Sequence, residues 1–144
     1  MKTIIAFLAL MLGATTGVLA EQSQKFAGIE VHYSAIPTND LQPEIAKSYN
    51  ITRSKNRGLL TIAVLKKNKL DVAVPIKAQL SASAVNLAGQ RSKVPMREVQ
   101  EGTAIYYLGE YPVTAPDTLK FSVTVTQEGE KTPHMMEFQQ QFFE

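Results

Sequence analysis

A chain of 144 residues with 15 basic and 13 acidic side chains carries a formal charge of only +2, too little to bind nucleic acid through overall charge. It has no cysteine and two histidines, which removes thiol chemistry and thiolate metal sites and leaves a zinc site short of ligands. Stability must therefore come from an apolar core rather than from disulfides.

Residues 1–20 have the layout of a secretory signal peptide. Lys2 gives a positive start, Ile4 to Leu12 an apolar stretch, and Val18-Leu19-Ala20 a small-residue cleavage pattern. The apolar stretch falls short of the roughly 20 residues that a membrane-spanning helix needs. Glu21 follows the cleavage point, so no lipid-modified cysteine is expected there. The expectation is export to the periplasm, with no transmembrane anchor after signal cleavage. Removing 20 residues from 144 leaves 124, which suits a single β-sandwich domain over residues 21–144.

Period-two alternation dominates the chain beyond the signal peptide. "GIEVHYSA" sets Ile29, Val31, Tyr33 and Ala35 against Glu30, His32 and Ser34. "LQPEIAKSY" carries the helical signal, near residues 42–49: Pro43 suits a first turn, Glu44 suits the helix N-terminus, and Ile45 and Tyr49 can pack one turn against the sheet edge. "GLLTIAVL" and "TAIYYLGEY" are apolar on both sides, as central strands are. "LDVAVPIKAQLSA" reads as one strand facing Val72, Val74, Ile76, Ala78 and Leu80 inward, with Pro75 placing it at an edge or a bulge. "VPMREV" is a weaker strand. In "LKFSVTVTQ", Leu119, Phe121, Val123 and Val125 oppose Lys120, Ser122, Thr124 and Thr126. "EGE" at 128–130 reads as a hairpin turn, after which "PHMMEFQQQFF" sends Met136, Phe138 and Phe142 inward.

About seven short strands, turns between them and no βαβ rhythm predict an all-β fold, an immunoglobulin-like antiparallel sandwich with one short helix. The glycine shortly before paired tyrosines in "GTAIYY" is similar to the corner-tyrosine pattern of such folds.

Several groupings invite chemistry. Glu30, His32 and Ser34 share a strand face, but same-face neighbours stand roughly 6.5–7 Å apart and parallel, whereas a triad converges. No G-x-S-x-G elbow accompanies them, so three solvated side chains are the expectation. His134 and Met136 share a face and suit Cu(I), with Met135 pointing away; completing the site requires His32 or Met96 to arrive from elsewhere. Met filling a core gap is the plainer reading. Glu98 and Glu101 flank a turn, Glu128 and Glu130 sit at a hairpin tip, and "NLAGQR" is no phosphate loop. The expectation is a protein without catalytic activity and without a cofactor.

The stretch "ITRSKNRGLLTIAVLKKNK" holds six basic residues and no acid. The eight residues between Arg57 and Lys66 span about 26 Å when extended at about 3.3 Å each, so the charges fall at opposite ends of a sandwich. Lys66, Lys67 and Lys69 surround a turn at Asn68. Arg53, Lys55 and Arg57 alternate, and an extended backbone places all three on one face. There they form a candidate site for an anionic ligand or protein partner, the alternative being a charged edge that blocks sheet-to-sheet aggregation.

"HYSAIPTNDLQPEIAKSYNITRSKNRGLL", "NLAGQ" and "REVQEGTAIYYLGEY…LKFSV" together resemble the bacterial family known as domain of unknown function 4426, small exported proteins mainly of gammaproteobacteria. The resemblance runs from about Val31 to Phe142. It is carried most specifically by Leu41, Pro43, Glu44, Ala46, Tyr49, Ile51, Arg53, Ser54 and Lys55, and by Asn86, Leu87, Gly89 and Gln90. It implies a periplasmic β-sandwich and carries no catalytic residue and no assigned activity, while placing Arg53-Ser54-Lys55 inside a family motif. The reading that results is a periplasmic binding or protein-interaction module whose partner is a periplasmic protein or anionic ligand. The alternative is a copper-handling sandwich using His134 and Met136.

Overall fold

The structure, a computed structural model, describes residues 22–144; the predicted signal peptide lies outside them. Ten strands form two antiparallel sheets. They are β1 (Gln22–Phe26), β2 (Ile29–Pro37), β3 (Arg57–Lys67), β4 (Ala73–Pro75), β5 (Ala78–Val85), β6 (Arg91–Val94), β7 (Arg97–Glu101), β8 (Ala104–Pro112), β9 (Asp117–Gln127) and β10 (His134–Phe142). The larger sheet runs β1-β2-β3-β8-β7, with β4 also on β3, and the smaller runs β10-β9-β5-β6. This is the expected antiparallel sandwich, with more strands than expected.

The extra strands have physical causes. "LDVAVPIKAQLSA" is two strands, because β4 pairs with β3 while β5 pairs with β9 in the other sheet. Pro75, which has no N–H to give a ladder, stands at the break. "VPMREV" divides in the same way, β6 joining β5 and β7 joining β8, with Pro95 at the corner. The inward assignment of Val72 fails, since its side chain lies in the β3–β4 turn and is exposed. Strand β1, polar and not anticipated, folds back on β2 through the two-residue turn Ala27–Gly28, where Gly28 takes φ +83°.

The inner faces meet as the alternation predicts. Val31, Leu60, Ile62, Val64, Phe121, Val123, Val125, Met136 and Phe142 form the buried core. Phe121 is fully buried and contacts Tyr111 edge-on at 4.9 Å and Phe138 in a stack at 5.0 Å. Tyr111 lies across Gly58, where any Cβ would collide with its ring.

Both faces of β3 and β8 are apolar because each face has a cover. The helix α1 (Pro43–Ser48) lies on the outer face of the larger sheet, not at its edge as expected. Leu41, Ile45, Ala46, Tyr49 and Ile51 bury Leu59, Tyr106 and Leu108 there in a second small core. Tyr49 Oη donates to Glu101 Oε1 at 2.6 Å and Arg97 Nη2 donates to the Tyr49 carbonyl, fastening the helix to β7. Tyr107 acts as a corner tyrosine: its hydroxyl accepts the Ala78 N–H at 2.8 Å, where the chain changes sheets.

Candidate functional site

The block "RSKNR" is not extended. Lys55 and Asn56 form a turn, and the Asn56 N–H bonds Ser54 Oγ at 3.1 Å. The expected common face for Arg53, Lys55 and Arg57 therefore does not exist. Arg53 Nη2 donates to the Asn39 carbonyl at 2.9 Å, which ties the block to the turn at 38–40. Arg57 opens β3 and reaches Glu110 on β8 at 3.8 Å, with half its side chain exposed. Lys55 is exposed at the turn. The clamp behind them is Thr38, fully buried, whose Oγ1 accepts the Ser54 N–H at 2.8 Å and donates to the Ser54 carbonyl at 3.0 Å. Sequence reasoning missed Thr38, since nothing local shows that it meets a residue 16 positions away.

The turn ends where a second block begins. The Val113 N–H donates to the Asn56 carbonyl at 3.1 Å, joining the loop before β3 to the linker between β8 and β9. That linker faces the β5–β6 hairpin "NLAGQ". Asn86 organises the hairpin: its Oδ1 accepts the Gln90 N–H at 2.9 Å and its Nδ2 donates to Gln90 Oε1 at 2.8 Å. Gly89 supplies the positive φ of +79°. Asp117 Oδ1 accepts the Leu87 N–H at 3.1 Å and the Thr118 N–H at 2.7 Å, which docks the hairpin onto the start of β9.

Between hairpin and linker lies an open cleft of about 350 Å³, lined by Ala84, Asn86, Gln90, Ser92, Val113, Thr114 and Asp117 among others. Its hydrogen-bonding groups are amides, hydroxyls and one carboxylate, held on turns that are themselves bonded in place. Leu87 stands on the hairpin with 76% of its surface exposed. Both blocks thus adjoin the same β8–β9 linker at one end of the sandwich, the hairpin across the cleft and the 53–57 turn through the Asn56–Val113 bond and the pairing of Arg57 with Pro112.

The lysine cluster is at the other end, in the turn expected around Asn68. Asn68 Oδ1 accepts the N–H groups of Leu70 and Val72, and Lys67 pairs with Asp71 at 3.4 Å.

His134 and Met136 do share the inward face of β10, where each packs against apolar neighbours. The His134 ring stacks on Phe26 at 5.1 Å, and Met136 is buried in the core. His32 pairs with Glu30 at 3.1 Å on the outer face of the larger sheet, and Met96 sits at the β6–β7 corner in a cleft with Leu59, Arg97, Leu108 and Glu110. Among the described residues, no three or more of His, Cys, Asp and Glu gather where they can hold a metal ion. Glu98 and Glu101 both belong to β7, Glu101 next to the turn at 102–103 as expected and Glu98 within the strand, each accepting from a tyrosine hydroxyl.

The titration shifts follow from burial. Burial alone pushes the Tyr111 phenol far up, and its hydroxyl has no hydrogen-bond partner among the described residues. Tyr49 is raised by burial first and then by its bond to Glu101 and that carboxylate's charge. Tyr106 is raised by burial and Glu101. For Tyr107 burial raises it most, the Ala78 N–H offsets part of that, and Glu98 raises it further. No helix among the described residues is long and apolar enough to cross a membrane.

Solved structures similar to this one include the following three. A DUF4426 family protein from Pseudomonas aeruginosa shares 31% identity with a TM-score of 0.72, covering 85% of this chain and 94% of its own. FetP of uropathogenic Escherichia coli, expressed in the periplasm, shares 11% identity with a TM-score of 0.61 over 86% of this chain and 94% of its own. A copper-bound variant of FetP shares 11% identity with a TM-score of 0.59 over 85% and 95%. At that identity the FetP likeness concerns the fold alone. No curated protein matches the chain. The profile of the domain of unknown function DUF4426 matches residues 23–144, and the chain belongs to that family.

Proposed function

We propose that the chain is a periplasmic interaction module without catalytic activity, which meets its partner at the end of the sandwich that carries the cleft. The observation behind this reading is an open polar cleft between the 86–90 hairpin and the β8–β9 linker, to which the 53–57 turn is joined by the bond from Val113 N–H to the Asn56 carbonyl. Lys55 and Arg57 at this end favour an acidic segment of a partner protein, whose carboxylates an arginine fork suits. Arg53 has a structural part, holding the Asn39 carbonyl. Such contacts between exposed charges weaken with salt, because they are screened over about 8 Å at physiological ionic strength.

The test compares Lys55→Ala/Arg57→Ala with Lys66→Ala/Lys67→Ala for recovery of a partner from periplasmic extract at low and high salt. The first pair is expected to lose the partner and the second to keep it. Equal recovery from both contradicts the reading. Copper handling is the second reading, supported by His134 and Met136 sharing one face of β10, but the stacked ring and the buried sulfur do not fit a copper site. A Cu(I) titration that shows a stoichiometric site lost in His134→Ala would restore it.

A further inference from the structure

Strand β10 is the one long, nearly uncharged edge among the described strands. The other edge strands are short and carry charge or proline: β6 has four residues with Arg91 and Lys93, β7 five with Arg97, Glu98 and Glu101, and β4 three ending in Pro75. Strand β1 has five with Lys25. Strand β10 has nine residues, no proline, no lysine and a single charge, Glu137. Natural sheets commonly protect an edge with short length, charge, proline or a bulge, and of these β10 has only the single charge of Glu137.

Two hydrogen bonds show which backbone groups face outward. Gln24 Nε2 donates to the Glu137 carbonyl, and Gln140 Nε2 donates to the Gln141 carbonyl. In an antiparallel strand a residue turns its N–H and C=O to the same side. Met135, Glu137, Gln139 and Gln141 therefore present their backbone groups to the free edge, and their side chains lie on the outer face.

We propose that β10 is an interface for a second copy of this chain, paired antiparallel across a two-fold axis at Gln139. In this register Gln139 faces its own copy, Glu137 faces Gln141 and Met135 faces Phe143. Met135 is 68% exposed and Phe143 73% exposed, two of five exposed large apolar residues among those described. They lie eight positions apart on the same face, so the pairing brings each against the other twice. The charge pattern also permits it, since Glu137 meets a neutral amide rather than its own copy. Within β10 (His134–Phe142) three residue pairs exchange both backbone bonds, about six in all, and the side-chain bonds of Gln24 and Gln140 give way to them. The product is one continuous eight-stranded sheet, with isologous contacts that close on themselves.

Sedimentation equilibrium of the purified protein tests this. An edge-only interface is small, so a dissociation constant on the order of 10 µM is expected, with the mean mass approaching twice that of the chain above it. Gln139→Pro removes the N–H at the axis and Gln139→Lys sets two like charges facing each other. Both are expected to be monomeric with an unchanged thermal melt. The chain has no cysteine, so Gln139→Cys is expected to form a covalent dimer with a short bis-maleimide, whose two C=C bonds each add one thiol, whereas Thr124→Cys on the neighbouring strand is not. A wild type that stays monomeric at ~0.5 mM, a dimer that both Gln139 variants keep, or equal crosslinking from positions 139 and 124 overturns the proposal.

Discussion

Thr38→Val isolates the clamp that shapes the 53–57 turn. Valine keeps the volume and burial of a side chain that is 0% exposed, so packing is nearly conserved. The change deletes the acceptor for the Ser54 N–H at 2.8 Å and the donor to its carbonyl at 3.0 Å. A partly buried amide left without a partner costs about 1–3 kcal/mol, and the second bond adds about 0.5–1.5 kcal/mol. The better transfer of valine offsets a little, giving a net loss of about 2–3 kcal/mol, a large share of the ~5–15 kcal/mol typical of a domain. At roughly 4 °C per kcal/mol for a chain of this size, the melting temperature should fall by about 10 °C. Urea melts give the free energy, and hydrogen exchange at the Ser54 amide reports the clamp directly; exchange should be slow in the wild type and fast in the variant. Thr52→Val, exposed nearby, should stay within about 0.5 kcal/mol. A loss below about 0.5 kcal/mol for Thr38→Val, with Ser54 protection unchanged, refutes the clamp.

Two further outcomes concern the core and its tyrosines. Phe121→Ala should cost about 3–5 kcal/mol, since it opens a cavity and removes both aromatic contacts, whereas Thr124→Ala should cost less than about 1 kcal/mol; equal losses in urea melts mean that β9 faces the other way. Tyr49, Tyr106, Tyr107 and Tyr111 are all raised in the folded state, so the unfolded chain, with phenols near 10, releases protons first. Stability is then full below about pH 10 and falls as pH rises beyond it. Tyrosinate absorbance from these four should therefore appear together with loss of the fold; a smooth titration of the four in a chain that stays folded contradicts this.

The alternating strands were legible in the sequence because one buried face and one wet face leave a period-two record. Leu119 to Gln127 shows it most plainly. The sheet change at Pro75 was half legible, since the proline announced an edge or a bulge but not that the chain would cross to the other sheet, and the change at Pro95 showed only as a weaker strand. Strand β1 is polar on both faces, so only Gly28 signalled it. The shape of the 53–57 block was misjudged because its alternating charges suggested an extended strand, while Ser54 and Asn56, both turn formers, indicated the turn that exists. The cleft was not legible at all. Its walls come from positions 84–92 and 112–119, brought together by a register that no local pattern records.

Site-specific photo-crosslinking in the periplasm tests most directly whether the partner is met at the cleft end. A photoreactive residue at Thr114, in the cleft, is compared with one at Lys69, at the opposite end of the sandwich. The account predicts a single adduct of defined mass from position 114, lost when Lys55 and Arg57 are changed to alanine, and none from position 69. No adduct from position 114, or the same adduct from both positions, contradicts it.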